Sequence, residues 1–353
     1  MAENSNIEWC DHTFNPWTGC TKVSEGCAHC YAESWAKRSG IVQWGPGKQR
    51  RRTTAENWKE PLKWDRAAKL YAEAATDEHT EGKANGFSYP PTRPRVFCAS
   101  LADWLDDEVP IEWLADLMEL IVRTPNLDWL LLTKRPQNWE RRITDALAEV
   151  EGIKSDWPSR EPYSLTGHWL NEWLGGNAPA NVWIGTTVEN QARADERLPQ
   201  LLSIPATVRF LSCEPLLGDL NFWPPVPGQE GAMTSDWSPK GLIGIHWVIA
   251  GGESGPGARP MHPDWARSLR DQCSAAGVPF FFKQWGEWLY PPDIGLSFDD
   301  FPKAERGQVW TSTGPTSRKG YDLVRVGKKK AGRELDGSVH DEFPRLATGD
   351  TRE

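Results

Sequence analysis

The sequence predicts an α/β fold, a full or partial (β/α) TIM-like barrel with insertions and a small C-terminal extension. Short apolar runs alternate with segments of helical spacing, and seven such runs can be counted. Polar residues collect directly after these runs. Strands buried on both faces of a parallel sheet are apolar throughout, and α/β folds place their site residues at the carboxyl ends of the strands.

The elements are predicted in chain order as follows. A first strand at 6–10 leads into a cysteine-rich loop and a helix at 31–38. Residues 40–94 are polar and rich in Gly, Pro and charge, which indicates an insertion with helical turns over 55–75 and a linker over 82–94. The later strands are expected at 95–99, 128–132, 181–185, 207–211, 245–250 and 278–282. The helices between them are expected at 112–123, 139–150, 191–202 and 263–276.

The domain organisation follows from this alternation. Residues 1–288 are predicted to form a barrel-like domain that carries the cysteine loop, with further insertions at about 151–180 and 222–243. Residues 289–353 are rich in Pro, Gly and charge and are predicted to form a C-terminal extension. Within it, 309–311 and 322–326 are candidate edge strands.

Composition places the chain among globular proteins. Of its 353 residues 39% are hydrophobic and 25% are charged, and no apolar run approaches the ~20 residues that span a bilayer. The N-terminus has neither a basic region nor an apolar run, so no signal peptide is expected. Seven cysteines, three of them clustered, favour a reducing compartment and a metal over disulfides. We therefore expect a cytoplasmic protein with no membrane association.

The cysteine loop is the most informative stretch of the sequence. Cys20, Cys27 and Cys30 fall within eleven residues, and closely spaced thiolates are typical ligands of zinc or of an iron–sulfur cluster. A structural zinc site takes four ligands, whereas three cysteines leave one iron of a cluster open. The alternative is a zinc site completed by one of His29, His12 or Cys10. Three further cysteines are predicted as core residues: Cys10, Cys98 and Cys273.

The residues around this loop also resemble a known motif. The pattern Asn15-Pro-Trp-Thr-Gly-Cys20, followed by Gly26-Cys27-Ala-His-Cys30-Tyr-Ala, resembles the cluster loop of radical S-adenosylmethionine (SAM) enzymes, especially the spore photoproduct lyase-like branch. Over 6–344 the chain resembles a family of phage and bacterial proteins of unassigned function that carry a three-cysteine motif. Radical SAM enzymes usually have three residues between the first two cysteines, and this chain has six.

The resemblance implies a cofactor and a chemistry. Cys20, Cys27 and Cys30 would ligate three irons of a 4Fe-4S cluster, and SAM would bind the fourth iron and be cleaved to a 5′-deoxyadenosyl radical. The substrate implied is a nucleic-acid base or nucleotide, as in DNA modification or repair. The alternative is a zinc- or cluster-stabilised nucleic-acid-binding protein without catalysis.

Polar residues after the predicted strands are the other site candidates. Glu214, Glu253 and Lys283 are candidate catalytic residues, because each follows a different strand. The candidate cofactor-binding residues are Gly251, Gly252, Glu253, Ser254, Lys134 and Arg135. The Gly-Gly-Glu run is similar to the radical SAM segment that holds the methionyl amine. The alternative for 251–255 is a tight turn without a ligand. The alternative for Lys134 and Arg135 is an ion pair with Glu189 or Glu214.

Charge leaves the partners open. A net charge of −9 argues against a protein that coats nucleic acid non-specifically. Two basic runs, at 48–52 and 325–333, could each form part of a local basic groove or a solvated face. A nucleic acid or nucleotide, and a protein partner, are both compatible with this pattern.

Overall fold

The computed structural model describes residues 5, 7–80, 93–156, 165–223, 240–290, 309–312 and 321–344. The chain divides into two compact units. The first unit comprises Met1–Val23, Cys30–Gly185 and Gln200–Thr207; the second comprises Ser24–His29, Thr186–Pro199 and Val208–Glu353. Among the described helices, none combines the length and apolar character needed to cross a membrane.

The described strands are mostly short. Those up to the middle of the chain are β1 (His12–Phe14), β2 (Trp17–Thr18), β3 (Arg51–Arg52), β4 (Arg95–Cys98), β5 (Asp128–Thr133), β6 (Val182–Thr187) and β7 (Val208–Cys213). The later ones are β8 (Trp247–Gly251), β9 (Phe280–Gln284), β10 (Trp288–Leu289), β11 (Val309–Ser312), β12 (Tyr321–Arg325), β13 (Glu334–Leu335) and β14 (Ser338–Val339).

The described α-helices alternate with the longer strands. They are α1 (Tyr31–Ser39), α2 (Ala55–Thr80), α3 (Ile111–Val122), α4 (Trp139–Asp156), α5 (Leu165–Leu174), α6 (Gln191–Ser203), α7 (Pro263–Ala276) and α8 (Lys328–Ala331).

Seven strands form one sheet, in the order β1-β4-β5-β6-β7-β8-β9. In the first unit β4 pairs in parallel with β1 and with β5. In the second unit β8 pairs in parallel with β7 and with β9. The protein is thus an α/β fold with a seven-stranded parallel sheet flanked by helices. With β1 and β9 as the end strands of this order, the architecture is consistent with a partial (β/α) barrel.

The strands form where the sequence is apolar without alternation. In β8 all five residues are buried, and in β5 the side chains of Trp129, Leu130 and Leu131 are fully buried. Such strands are stable only when both faces of the sheet are covered, as parallel sheets are by their crossover helices. The apolar runs therefore specify a covered parallel sheet.

Helix α7 shows how local sequence sets helix ends. His262 precedes it, and its Nδ1 accepts a hydrogen bond from the Asp264 backbone N–H at 3.1 Å. Pro263 occupies the first helical position, where a missing N–H costs nothing. The helix ends at Gly277, whose φ of 66° lies in the left-handed region that a glycine adopts without strain. The predicted bounds of this helix are confirmed.

The predicted first strand is wrong in position. The strand lies at His12–Phe14 instead of 6–10, while residue 6 lies outside the described residues. Trp9 and Cys10 are buried, as their apolar character indicates, but Cys10 N donates to Ile7 O at 3.1 Å in a turn. Burial was therefore predicted correctly and backbone conformation was not.

The predicted insertions are only partly described. The segment 151–180 contains α5, a helix that the sequence analysis missed, with Leu170 and Trp173 fully buried. In the C-terminal extension β12 lies between β10 and β11 in an antiparallel sheet. Parts of the predicted linker, insertions and extension lie outside the described residues, at 81–92, 157–164, 224–239, 291–308, 313–320 and 345–353.

Candidate functional site

The seven cysteines fall into two groups. None forms a disulfide; Cys20, Cys27 and Cys30 are partly exposed, whereas Cys10, Cys98, Cys213 and Cys273 are buried. Burial raises the pKa of the Cys10 thiol to about 11. The core assignment of Cys10, Cys98 and Cys273 is thus confirmed. The three cysteines of the loop are the ones that a ligand can reach.

Cys20 accepts a hydrogen bond from a residue that follows β5, and both lie in the first unit. Arg135 Nη1 lies 3.6 Å from Cys20 Sγ and donates to it, while Arg135 Nη2 donates to Thr21 O at 2.8 Å. Burial and the nearby Asp103 carboxylate raise the pKa of the Cys20 thiol to about 12, although Arg135 acts to lower it. A thiol in this setting keeps its proton until a metal ion displaces it.

Asp103 organises the ends of β4 and β5. Its Oδ2 accepts from Arg135 Nη1 at 2.8 Å and from Lys134 N at 3.0 Å, and its Oδ1 accepts from Thr133 Oγ1 at 2.7 Å. Asp103 and Arg135 have side chains that are 7% and 6% exposed. This buried pair fixes the guanidinium beside Cys20. Arg135 was a predicted site residue, and its partner is Asp103 rather than Glu189 or Glu214.

Arg50 is a second arginine that contacts the loop at Thr21. Its side chain is buried, Nε donates to Asp106 Oδ2 at 2.8 Å, and Nη2 donates to Thr21 Oγ1 at 2.8 Å. Arg52 Nη1 donates to Asp116 Oδ2 at 2.6 Å, and Arg51 is exposed. The three arginines of this basic run therefore have three different environments, and they do not form one solvated face.

The structure explains why the loop motif has Asn at position 15 and Gly at position 19. Asn15 Oδ1 accepts from Leu101 N at 2.7 Å, which ties the end of β1 to the residues after β4. Gly19 has φ of 103°, and a Cβ there would lie 3.0 Å from Val42 Cγ2. A side chain at position 19 would therefore be strained and crowded. Beside Cys30, Tyr31 donates its hydroxyl to Ser100 O, again after β4.

Cys27 lies in the second unit beside Gly26, which contacts a residue that follows β6. Gly26 N donates to Glu189 Oε1 at 3.3 Å, and a Cβ on Gly26 would lie 3.0 Å from that oxygen. Glu189 Oε2 in turn accepts from Arg197 Nη1 at 2.9 Å, and both side chains are buried. The glutamate is held by the arginine, so Gly26 is the residue that allows the loop to approach it.

His29 is bound to a glutamate that follows β8, also within the second unit. His29 Nδ1 lies 3.0 Å from Glu253 Oε2. Glu253 also accepts from three groups of Arg259: the backbone N–H, Nε and Nη2, at 2.8, 2.9 and 2.6 Å. Burial acts to raise the pKa of Glu253, but the hydrogen bonds from Arg259 and His29 keep it below its usual value. An ionised glutamate thus orients the His29 ring, and Arg259 is a partner that sequence reasoning missed.

Glu214 and Lys283 form a second charged pair in this unit. Lys283 Nζ donates to Glu214 Oε1 at 2.7 Å and to Oε2 at 2.9 Å, and Gln284 Nε2 approaches Oε1 at 3.4 Å. Their side chains are 20% and 15% exposed. Glu214 follows β7, and Lys283 lies near the carboxyl end of β9. The structure therefore brings two of the three predicted catalytic residues together.

The glycine run after β8 has a packing role. A Cβ on Gly252 would lie 1.9 Å from Trp285 O, and a Cβ on Gly286 would lie 2.1 Å from Glu253 O. The two backbone segments approach too closely for any side chain. This approach explains Gly252 without a ligand, while Gly251 is buried and Ser254 is exposed. The predicted cofactor role of this run stays a prediction.

The three thiols of the loop are candidate metal ligands. Across the described part of the chain, no three His, Cys, Asp or Glu side chains are grouped as ligands of one metal ion. The donor set itself, three partly exposed thiols within eleven residues, fits an iron–sulfur cluster in type and number.

Comparison with known protein families adds one assignment. The family described as a protein of unknown function (DUF5131) has a model that matches residues 4–344. The chain belongs to this family. Its match includes the cysteine loop and every strand end described above, and it agrees with the extent of resemblance, 6–344, that the sequence indicates. No curated protein and no solved structure matches the chain. The similarity to radical SAM enzymes stays a prediction from the motif.

Proposed function

We propose that this protein is an iron–sulfur enzyme in which Cys20, Cys27 and Cys30 hold a 4Fe-4S cluster. One observation supports the proposal: each cysteine, or the residue next to it, is hydrogen-bonded to a group that follows a strand of the parallel sheet. Cys20 contacts Arg135, while Gly26 and Tyr31, beside Cys27 and Cys30, contact Glu189 and Ser100. Carboxyl ends of parallel strands are where α/β folds build active sites.

The chemistry of the reaction comes from the cofactors. A cluster with one iron free of protein ligands supplies one-electron chemistry, and SAM is the co-substrate that the motif implies. The substrate we propose is a nucleic-acid base or nucleotide, modified or repaired while bound to the protein. This part rests on the motif resemblance.

The protein residues have separate tasks in this proposal. Arg135 donates a hydrogen bond to Cys20, which stabilises negative charge on the sulfur when the proton is lost. Asp103 holds Arg135 in place. Glu214 and Lys283 form a paired acid and base near two strand ends, where they bind and orient a polar substrate group. Glu253 fixes the orientation of His29.

Metal analysis tests the proposal. Anaerobically reconstituted protein should contain about four irons with acid-labile sulfide. Replacing any one of Cys20, Cys27 or Cys30 by Ala should abolish the cluster absorbance. Cys273→Ala is the matched control, because Cys273 is fully buried in α7 and should not affect iron content. Wild-type iron and sulfide in the triple variant would overturn the proposal.

A zinc-stabilised nucleic-acid-binding protein is the second candidate, and His29 is the observation that favours it. A histidine whose Nδ1 is bound to a carboxylate presents Nε2 to a metal, as metal-binding histidines commonly do. The His12 ring instead stacks on the Trp64 ring, with 4.4 Å between the ring centroids. The Cys10 side chain is buried. Of the three residues considered as a fourth ligand, His29 is the best placed. One zinc per chain that is lost in His29→Ala would favour this candidate and exclude the cluster.

A further inference from the structure

Arg135 brings a buried positive charge to the sulfur of Cys20. Its side chain is 6% exposed, and Nη1 donates to Cys20 Sγ at 3.6 Å and to Asp103 Oδ2 at 2.8 Å. Nη2 donates to Thr21 O at 2.8 Å, which holds the guanidinium in a fixed geometry beside the sulfur. A charge that is shielded from water acts more strongly on a neighbouring atom than a charge at the surface does.

The Asp103 carboxylate has the opposite sign and is bound to the same guanidinium. A negative charge near Cys20 disfavours further negative charge on the sulfur, whereas the Arg135 guanidinium favours it. A second buried pair adjoins the first: Arg135 Nη2 lies 3.9 Å from Asp106 Oδ1, and Arg50 Nε donates to Asp106 Oδ2 at 2.8 Å. Removal of either Arg135 or Asp103 therefore changes the charge around Cys20 without altering the thiol itself.

Cys27, in the second unit, has a neutral hydroxyl as its neighbour instead. Ser24 Oγ lies 3.8 Å from Cys27 Sγ. A cysteine that ligates a metal has lost its proton, so the serine hydroxyl is the donor when Cys27 is a ligand. Hydrogen bonds from charged donors are about twice as strong as those from neutral ones. The sulfurs of Cys20 and Cys27 therefore receive hydrogen bonds of different strength.

We propose that Arg135 and Asp103 set the reduction potential of a cluster held by Cys20, and that they act in opposite directions. One-electron reduction makes and breaks no bond and adds one negative charge. Hydrogen bonds to the ligand sulfurs and nearby charges determine how well a protein accommodates that charge. Arg135 raises the potential, Asp103 lowers it, and Ser24 adds a smaller rise through Cys27. This inference rests on the proposed function, because it requires the cluster.

Redox titration of the reconstituted protein tests the inference. Dithionite supplies the electron, and electron paramagnetic resonance follows the reduced cluster. Arg135→Gln removes the cation and should favour the oxidised form about tenfold, which for one electron lowers the potential by about 59 mV. Asp103→Asn removes the anion and should raise the potential. Ser24→Ala should lower it by less than Arg135→Gln does.

The opposite signs separate an electrostatic role from a structural one. Both variants break the same buried pair, so a purely structural role would shift the two potentials in the same direction. Arg135→Lys keeps the charge but loses the fixed geometry, and its potential should lie between those of Arg135→Gln and wild type. If Arg135→Gln does not retain a cluster, Arg135→Lys and Asp103→Asn decide by the same criterion. Arg66→Gln is the control, since it removes an exposed arginine of α2 and should leave the potential unchanged.

Two outcomes distinguish this inference from the proposed function. A cluster whose potential is unchanged in the Arg135 and Asp103 variants, or shifts in the same direction in both, would overturn the inference and leave the cluster proposal intact. Wild-type protein that takes up no iron and sulfide on reconstitution would overturn both.

Discussion

Arg135 Nη1 lies 3.6 Å from Cys20 Sγ and 2.8 Å from Asp103 Oδ2, so one guanidinium joins a loop cysteine to a buried carboxylate. Arg135 Nη2 also donates to Thr21 O at 2.8 Å, so the planar guanidinium holds three groups in a fixed geometry. The loop position of Cys20 is thus fixed by the ends of β4 and β5.

Breaking this pair should be costly. Arg135→Gln leaves Asp103 buried and unpaired, and we expect a loss of about 3–5 kcal/mol in the free energy of unfolding. Arg135→Lys should lose less than Arg135→Gln, because the charge remains. Urea denaturation of the metal-free protein measures both. Arg141→Gln is the control, because Arg141 is 55% exposed and should cost about 1 kcal/mol or less.

A double variant decides how the Arg135 result is read. If the pair acts as a unit, Arg135→Gln with Asp103→Asn should lose less than the two single losses added together. Strict additivity would mean that Arg135 and Asp103 act independently.

Gly26 should not accept a side chain. Its Cβ would lie 3.0 Å from Glu189 Oε1, and Glu189 cannot withdraw because Arg197 holds its other oxygen. We expect Gly26→Ala to lower the free energy of unfolding by about 1–3 kcal/mol. Gly152→Ala is the matched control in α4, with nothing within 4 Å of its Cβ, and should be neutral or gain up to about 1 kcal/mol. Equal urea midpoints for Gly26→Ala and wild type would show that Glu189 is free to move.

Asp128 should make stability depend on pH in an unusual direction. Burial raises the pKa of Asp128 to about 6, against the opposing effect of Arg93. A carboxyl with a raised folded-state pKa holds its proton more tightly in the folded protein. Its contribution to stability is therefore complete below the unfolded pKa of about 4 and is lost as pH rises to about 6.

The measurement is a comparison of urea unfolding at pH 4, 5, 6 and 7. Wild type should lose up to about 3 kcal/mol relative to Asp128→Asn across this range, since the amide does not titrate. Asp145→Asn, which changes a side chain that is 49% exposed, should leave the pH profile of wild type unchanged. A constant difference between wild type and Asp128→Asn would show that Asp128 is ionised throughout.

Glu214 should matter for turnover more than for stability. Its side chain is 20% exposed and binds Lys283 near the ends of two strands. Glu214→Gln should reduce SAM consumption by the reconstituted protein at least tenfold, while lowering the free energy of unfolding by less than Arg135→Gln does, because the Glu214–Lys283 pair is partly exposed. Glu112→Gln, an exposed glutamate of α3, is the control. Normal turnover with a large loss of stability would assign Glu214 to the fold.

The sequence predicted the strands well because their signal is local. Apolar runs such as those of β5 and β8 are buried in the sheet, and polar residues predicted after the strands, among them Arg135, Glu214 and Glu253, do follow them. The first strand was predicted at the wrong position because Trp9 and Cys10 are apolar. Both residues are buried, but they lie in a turn and not in a strand. Burial and strand conformation usually coincide, but here they differ.

The partners of the site residues were beyond prediction. Arg259 binds Glu253, and Arg50 binds Asp106 and Thr21, through approaches that depend on the folded chain and on no spacing in the sequence. The sequence predicted that Gly252 lets a ligand approach the backbone. In the structure it instead allows the backbone at 252 to approach the backbone at Trp285. A single sequence shows which residues are polar and follow strands; it does not show which of them are already paired.

The lysines of α8 are candidate contacts for nucleic acid. Lys328, Lys329 and Lys330 form most of the short helix α8 and are exposed. If the substrate lies in DNA or RNA, these cations contact phosphates, and binding weakens steeply with salt because counterions are released. Replacing all three lysines by Ala should then lower the slope of log K against log salt by up to about three. Lys69→Ala, which changes an exposed lysine of α2, should leave the slope unchanged if α8 is the contact. No affinity for single- or double-stranded nucleic acid at low salt would exclude a polymer, and a free nucleotide would remain as the substrate.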